Sequence, residues 1–351
     1  MPMKPEVTSE LLVISSSPHA HDGSSVDRIM WDVVIALTPA LLAAIFFFGL
    51  DALRLVGVCV ATCLVTEWGC RKLMKRPSSL SDWSAVVTGL LLAFNLPPGL
   101  PAWMAVAGSI FAIAIAKQIF GGLGYNPFNP ALAARAFMLI SFTGAMTTWS
   151  KSTWPSLLTD HWVDTMTAAS RDAMTTATPL GLIKEAVKRG EGLPSFSPQM
   201  LQDFFLGNMN GCIGETSALA LLLGAAYLLY RKVISWHIPV AYILTVFVYA
   251  AVLRQFWPDE SITPLAHVLS GGLILGALFM ATDMVTSPVT QRGMLIFGMG
   301  CGVITMLIRT SKTGAYPEGV CFAILIMNAF TPLINRATRN QVFGSKGKKA
   351  G

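Results

Sequence analysis

Residues 171–180, RDAMTTATPL, crowd hydroxyls beside a carboxylate and a proline. Two chemistries suit this run. Thr178 can cap a short helix, with Pro179 at the first helical position and Arg189 and Gly190 at its stop. The same geometry would seat a phosphate carried on Thr178, since a helix N-terminus offers free amide donors and a positive dipole end. Other chemistry-bearing residues stand in apolar surroundings. Glu215 in GCIGETSALALLLGAAYLL and Asp283 in FMATDMVTSPVT are carboxylates inside apolar runs. Acids in hydrocarbon are costly and point to an ion pathway or a cofactor contact. Asn126 and Asn129, behind Gly121 and Gly122 in GGLGYNPFNPALAARAF, carry amides that donate and accept. They suit the edge of a flat polar ring, or equally serve as turn formers between two helices.

The remaining titratable groups point elsewhere. Glu67, Lys117 and Arg309 fall near expected helix ends, where a long side chain can reach the interface; Arg135 and Glu318 also lie within or beside apolar segments. Cys59, Cys63, Cys70, Cys212, Cys301 and Cys321 show no C-x-x-C spacing and no histidine placed to complete a zinc set. They read as small packing residues, and no metal site is expected.

These residues must be held by membrane helices. Of the 351 residues, 53% are hydrophobic and only 13% charged, about half the charge of a soluble domain. Ten apolar segments approach the ~20 residues a helix needs to cross a bilayer. They lie near 30–50, 53–72, 82–97, 102–120, 128–146, 211–230, 236–257, 264–284, 293–310 and 318–335, the third and fifth short or interrupted. No cleavable signal is expected in the polar first residues, so the first span serves as an uncleaved insertion signal. The net charge of +6 reflects basic loops held on one side, not nucleic-acid binding. Arg71, Lys72, Lys75 and Arg76, then Arg231 and Lys232, then Arg336, Arg339, Lys346, Lys348 and Lys349 all fall on one side of a ten-span arrangement. Both termini are therefore expected in the cytoplasm. The loop over 147–210, where five basic residues meet six acids, is then external, and Trp149, Trp154 and Trp162 suit its interface.

Two stretches resemble one another. KQIFGGLGYNPFNPALAARAF begins at Lys117, and RTSKTGAYPEGVCFAILIMNAF begins at Arg309. Each passes from an apolar helix through a basic residue, glycine and a proline turn into a further helix. Two halves of five helices follow, and an odd number per half inverts one copy in the membrane. The expected fold is an all-α polytopic membrane protein of ten helices in two inverted halves. Its parts are a cytoplasmic tail (1–28), a first membrane half (29–146), an external loop (147–210), a second membrane half (211–335) and a basic cytoplasmic tail (336–351).

From residue 17 to 334, the stretches KQIFGGLGYNPFNPA, GETSALALLLGAAYLL, MATDMVTSPVT and YPEGVCFAILIMNAFTPLI resemble the RnfD family, the D-type subunits of Rnf electron-transport complexes. They are more distantly similar to NqrB, the corresponding membrane component of the sodium-pumping NADH:quinone reductase. The resemblance implies a covalent FMN on a threonine of the pattern D-x-x-(S/T)-G-A-(T/S), installed by a flavin transferase. Here that pattern reads Asp172-Ala-Met-Thr175-Thr176-Ala177-Thr178, so Thr178 would carry the flavin, with Thr176 where the family has glycine. It also implies a second, non-covalent riboflavin, with Gly121, Gly122, Asn126 and Asn129 in the associated motif. Partners would be the A-, B-, C-, E- and G-type proteins of the Rnf complex and membrane lipid. The setting would be a bacterial or archaeal cytoplasmic (inner) membrane, where electrons pass between NADH- and ferredoxin-linked centres coupled to Na+ or H+ movement. Glu215 and Asp283 would then take part in ion coupling or flavin tuning. The rival readings are the quinone-reductase component itself and a solute channel or transporter, for which inverted repeats are equally natural.

Overall fold

The computed structural model describes residues 25–148, 181, 198–207, 211–215, 217–257, 262–311 and 319–339. These residues are mostly helical and contain no strand. Helix α1 (Val26–Phe48) starts where the Ser25 hydroxyl accepts from the Arg28 amide, with Asp27 in the first turn. It stops at Gly49, whose positive φ turns the chain straight into α2 (Leu50–Leu73). Arg71 and Lys72 occupy the last turn of α2, against the negative end of its dipole. Helix α3 (Ser84–Phe94) is short. Helix α4 (Ala102–Ile110) continues as a π-helical stretch, Phe111–Gln118, and α5 (Pro130–Ser141) is followed by the single turn α6 (Thr143–Met146).

The second half repeats the theme. After α7 (Pro198–Leu206), a 3-10 turn at Ile213–Glu215 leads into α8 (Ala218–Tyr230), capped by Ser217. Then come α9 (His237–Phe256) and a broken segment made of α10 (Pro264–Leu269), α11 (Leu273–Leu275) and a π-helical stretch, Gly276–Met280. Helices α12 (Gln291–Thr310) and α13 (Val320–Ala337) end the described chain. Arg309 bridges the break after α10, donating from its two terminal nitrogens to the carbonyls of His267 and Ser270. Those carbonyls belong to a helix end that has no further turn to satisfy it. Arg309 therefore closes a helix end instead of reaching for the interface.

Pairing is parallel in the two halves. Helix α2 packs on α3 and α4, as α9 packs on α10 and α12; α4 with its π-helical extension packs on α5, as α12 packs on α13. The halves join where α1 meets α8 and α5 meets α13. At the first junction the backbones come very close, for a Cβ at Gly224 would collide with the Ala36 carbonyl oxygen.

Four helices are long and apolar enough to cross a membrane: Val26–Phe48, His237–Phe256, Gln291–Thr310 and Val320–Ala337. Shorter apolar helices cover Ser84–Phe94, Ala102–Gln118, Pro130–Ser141 and Ala218–Tyr230. Large apolar side chains such as Leu42, Val240, Leu244, Val248 and Leu307 point outward. A soluble monomer would not leave such faces bare. The protein has the build of a membrane protein. The segment expected as one span over 264–284 is interrupted at Ser270–Gly272, and the third segment shrinks to eleven helical residues.

Candidate functional site

A cleft opens between the two halves. It spans about 770 Å³ when the space open to solvent is included. Val87, Leu91 and Phe279 supply apolar wall; Ser84, Lys117, Asn126, Asn129, Thr282 and Asp283 supply polar groups.

The loop after α4 sets the first of these. Gly121 and Gly122 have φ of 126° and 102°, a conformation that side-chain-bearing residues rarely adopt. A Cβ at Gly122 would also stand 2.6 Å from Arg71 Nη2, a flexible side-chain end that can give way, so the positive φ is what calls for glycine. Arg76 Nη1 pins the turn by donating to the Gly121 carbonyl at 3.0 Å. Beyond it, Asn129 caps α5. Its Oδ1 accepts from the amides of Ala131 (3.0 Å) and Leu132 (3.3 Å), with Pro130 at the first helical position. Its Nδ2 donates to the Met280 carbonyl at 3.3 Å, a bond from one half to the other. Asn126 is freer. Its Nδ2 donates to the Phe128 carbonyl at 3.0 Å, while its buried Oδ1 has no partner among the described residues. A buried polar atom without a partner is costly, and Asn126 is one of the residues that line the cleft.

Lys117 is 1% exposed and forms a buried ion pair with Glu67, which is fully buried. Its Nζ lies 2.8 and 3.0 Å from the two carboxylate oxygens and donates to Ser84 Oγ at 2.6 Å. Gln118 Nε2 and Ser79 Oγ also donate to Glu67 Oε1. Every ammonium proton has an acceptor. Neither residue reaches an interface, contrary to what their positions near helix ends implied. Helix packing, not length of side chain, determines where they go.

A second buried cluster lies one helical turn deeper. Arg135 and Glu215 form an ion pair at 3.6 Å, both almost wholly buried. Arg135 Nη1 donates to Asn95 Oδ1, and its Nη2 lies 3.6 Å from Cys212 Sγ. Asn95 Nδ2 donates to the Leu91 carbonyl at 2.6 Å, and the Cys212 thiol to the Asn95 carbonyl at 3.3 Å. At the α1–α8 junction, Asp32 accepts from Arg231 and Tyr227; this carboxylate pushes the guanidinium further up from its already high range.

The chain is similar over nearly its whole length to proteins of one family. The family described as NQR2, RnfD, RnfE matches residues 13–344. The D subunit of the Na+-translocating ferredoxin:NAD+ oxidoreductase complex of Acetobacterium woodii is 49% identical over 335 residues, 95% of each chain. The D subunit of the proton-translocating ferredoxin:NAD+ oxidoreductase complex of Clostridium ljungdahlii is 44% identical over 347 residues, covering 97% of this chain and 98% of that one. The D subunit of the ion-translocating oxidoreductase complex of Stutzerimonas stutzeri is 42% identical over 334 residues, covering 93% and 94%. The chain belongs to the NQR2, RnfD, RnfE family.

In this NQR2/RnfD/RnfE-family chain the expected site residues divide into three groups. Asn126, Asn129 and Asp283 meet at one cleft, beside a loop turned by Gly121 and Gly122. Asp283 lines the cleft after the π-helical stretch, where Thr286 Oγ1 donates to its Oδ2 at 3.1 Å. Glu215 does not join them; it is held by Arg135 in the deeper cluster. Thr178, Asp172, Thr175 and Ala177 lie outside the described residues, as does Glu318. The cysteines are free thiols, and no group of ligands able to hold a metal occurs among the described residues. Spacing missed the lysine on the cleft wall and the arginine that neutralises Glu215. Both were visible only as charges in apolar runs, with no sign of a partner.

Proposed function

We propose that the chain is the flavin-carrying D-type membrane component of an Rnf-type complex, in which electron flow between ferredoxin- and NADH-linked centres is coupled to Na+ or H+ translocation. The observation that carries this is the 49% identity, over 95% of both chains, to a protein named for that complex. All three relatives above are D subunits, which favours this reading over the quinone-reductase component and over a solute transporter.

The finer reading has ten crossings in two inverted halves, both termini cytoplasmic and the 147–210 loop external, in a bacterial or archaeal inner membrane. The parallel helix pairing of the two halves and the one-sided basic clusters support it. Thr178 carries FMN through a phosphoester bond, on the strength of the flavinylation pattern. A flavin transferase installs it, and the other Rnf proteins exchange electrons with it.

The cleft between the halves takes a second, non-covalent flavin, riboflavin. Its apolar walls and the unpartnered Asn126 Oδ1 suit a flat ring with donor edges. A flavin supplies one- and two-electron redox chemistry that no side chain here provides. The chain's own residues would hold and tune it. Asn126 accepts a hydrogen bond, Asn129 keeps α5 and the Met280 backbone in register, and the Lys117–Glu67 pair braces the wall. Asp283, which also lines the cleft, is the carboxylate that would link ion movement to the flavin.

The test is mass spectrometry of the 172–184 peptide from the purified complex. A mass increase of one FMN on Thr178 is expected. An unmodified peptide in a complex that still contains acid-extractable flavin would overturn the covalent assignment.

A further inference from the structure

A buried charged cluster lies next to the residues that line the cleft. Three elements can be followed from the cleft wall inward. On α3, Thr88 and Leu91 line the cleft, and Asn95 follows about one turn on. On α5, Asn129 and Ala131 line it, and Arg135 stands one turn deeper. On the π-helical stretch, Phe279 lines it, while the adjacent Met280 receives the Asn95 amide on its sulfur at 3.5 Å. The inner end of the cleft is therefore backed by Asn95, Arg135 and their partner Glu215.

Two interrupted helices end at this cluster. The carboxyl end of α3 reaches it through Asn95, which links the Leu91 carbonyl to Arg135. The amino end of α11 reaches it at Gly272: a Cβ there would lie 3.1 Å from Glu215 Oε1 and 3.6 Å from Arg135 Nη1. The negative end of the α3 dipole thus meets the guanidinium side. Both charges are buried, where a fixed charge acts over a longer range than at a surface. Broken helices abutting at the junction of two repeats are where transport proteins place their ion sites. Here that place is filled by a guanidinium, and the carboxylate beside it is already neutralised.

We propose that the buried Arg135–Glu215 pair, held by Asn95 at the junction of the two halves, is an electrostatic seal that stops cations from leaking past the inner end of the cleft. Arg135 repels an incoming Na+ or H3O+, and its pairing denies the cation Glu215 as a stepping site. The seal keeps ion movement tied to electron flow. It rests on the reading of the chain as two membrane-crossing halves.

The test uses the assembled complex in liposomes with no electron donor, following passive 22Na+ entry and proton entry with a trapped pH dye. Replacing both partners (R135Q with E215Q) leaves no unpaired buried charge, so the chain keeps its best chance of folding. Cation entry should rise at least tenfold. R135K, which keeps the charge, should be as tight as the parent. Asn95→Asp serves if the double variant does not assemble: it brings a second carboxylate against the guanidinium and should also raise entry. A double variant, or failing that an Asn95→Asp variant, as tight as the parent overturns the seal. So does an R135K protein as leaky as the double variant, because leakage would then follow packing and not charge. Reporter fusions at residues 74, 165 and 345 separate the two ideas. Tight liposomes with 74 and 345 inside and 165 outside sink the seal alone; 165 and 345 on one side sink the two-half reading with it.

Discussion

Lys117 and Glu67, fifty positions apart, form an ion pair from which solvent is almost wholly excluded, with the ammonium 2.8 and 3.0 Å from the two carboxylate oxygens. The pair ties α2 to the end of α4 and places its cation on the cleft wall. Glu67→Gln leaves that cation buried without its counter-charge. Breaking a buried pair in this way costs about 3–5 kcal/mol. The complex carrying Glu67→Gln should unfold at a clearly lower temperature in detergent, while Glu67→Gln combined with Lys117→Met recovers most of the loss. An unchanged unfolding temperature for the single variant would contradict the buried pair.

Asn126 separates the flavin reading from the turn-former reading better than Asn129 does. Asn129 is committed to capping α5 and to the Met280 carbonyl, so replacing it costs about 1 kcal/mol through the cap alone. Asn126 lines the cleft, and its buried Oδ1 has no partner among the described residues. Asn126→Leu should lower acid-extractable riboflavin severalfold and leave covalent FMN unchanged, read by chromatography of the two flavin fractions. Riboflavin at the parental level would make Asn126 a turn residue only.

Thr178→Ala should abolish the flavin fluorescence that survives denaturing electrophoresis. Thr178→Ser should retain part of it, since serine offers the same hydroxyl. Losing a helix cap costs only about 1 kcal/mol, so the alanine chain should still insert and assemble. Fluorescence that persists, or moves to Thr175 or Thr176, would refute Thr178 as the attachment point.

Asp283→Asn keeps the shape of the side chain and one acceptor, toward Thr286 or the Val285 amide, but removes the carboxylate from the cleft. Ion uptake driven by electron flow should fall in vesicles while riboflavin content stays normal. Normal uptake would reduce Asp283 to a turn-forming role.

Much of this protein was legible before any fold was known, and the reason is locality. Apolar run lengths announce a membrane protein, because a helix must satisfy its own backbone in lipid over a set distance. Asn129-Pro130 reads as a helix start because cap and capped amides are two and three residues apart. Gly121 and Gly122 mark a turn for the same local reason. The family pattern around Thr178 is likewise contiguous in the chain.

Pairing was not legible. Glu67, Lys117, Arg135 and Glu215 each appeared as an isolated charge in an apolar run, and distance to a helix end was the only guide to their surroundings. Helical periodicity tells which residues share a face, never which other helix that face will meet. Only the packing of α2 on α3 and α4 turned Lys117 inward to Glu67 and Ser84. Only the meeting of α3, α5 and the turn before α8 set Arg135 against Glu215, because those contacts join segments far apart in the chain. Composition and local pattern determined that the chain is helical, apolar and of this family; tertiary packing decided which charges neutralise one another and which line a cleft.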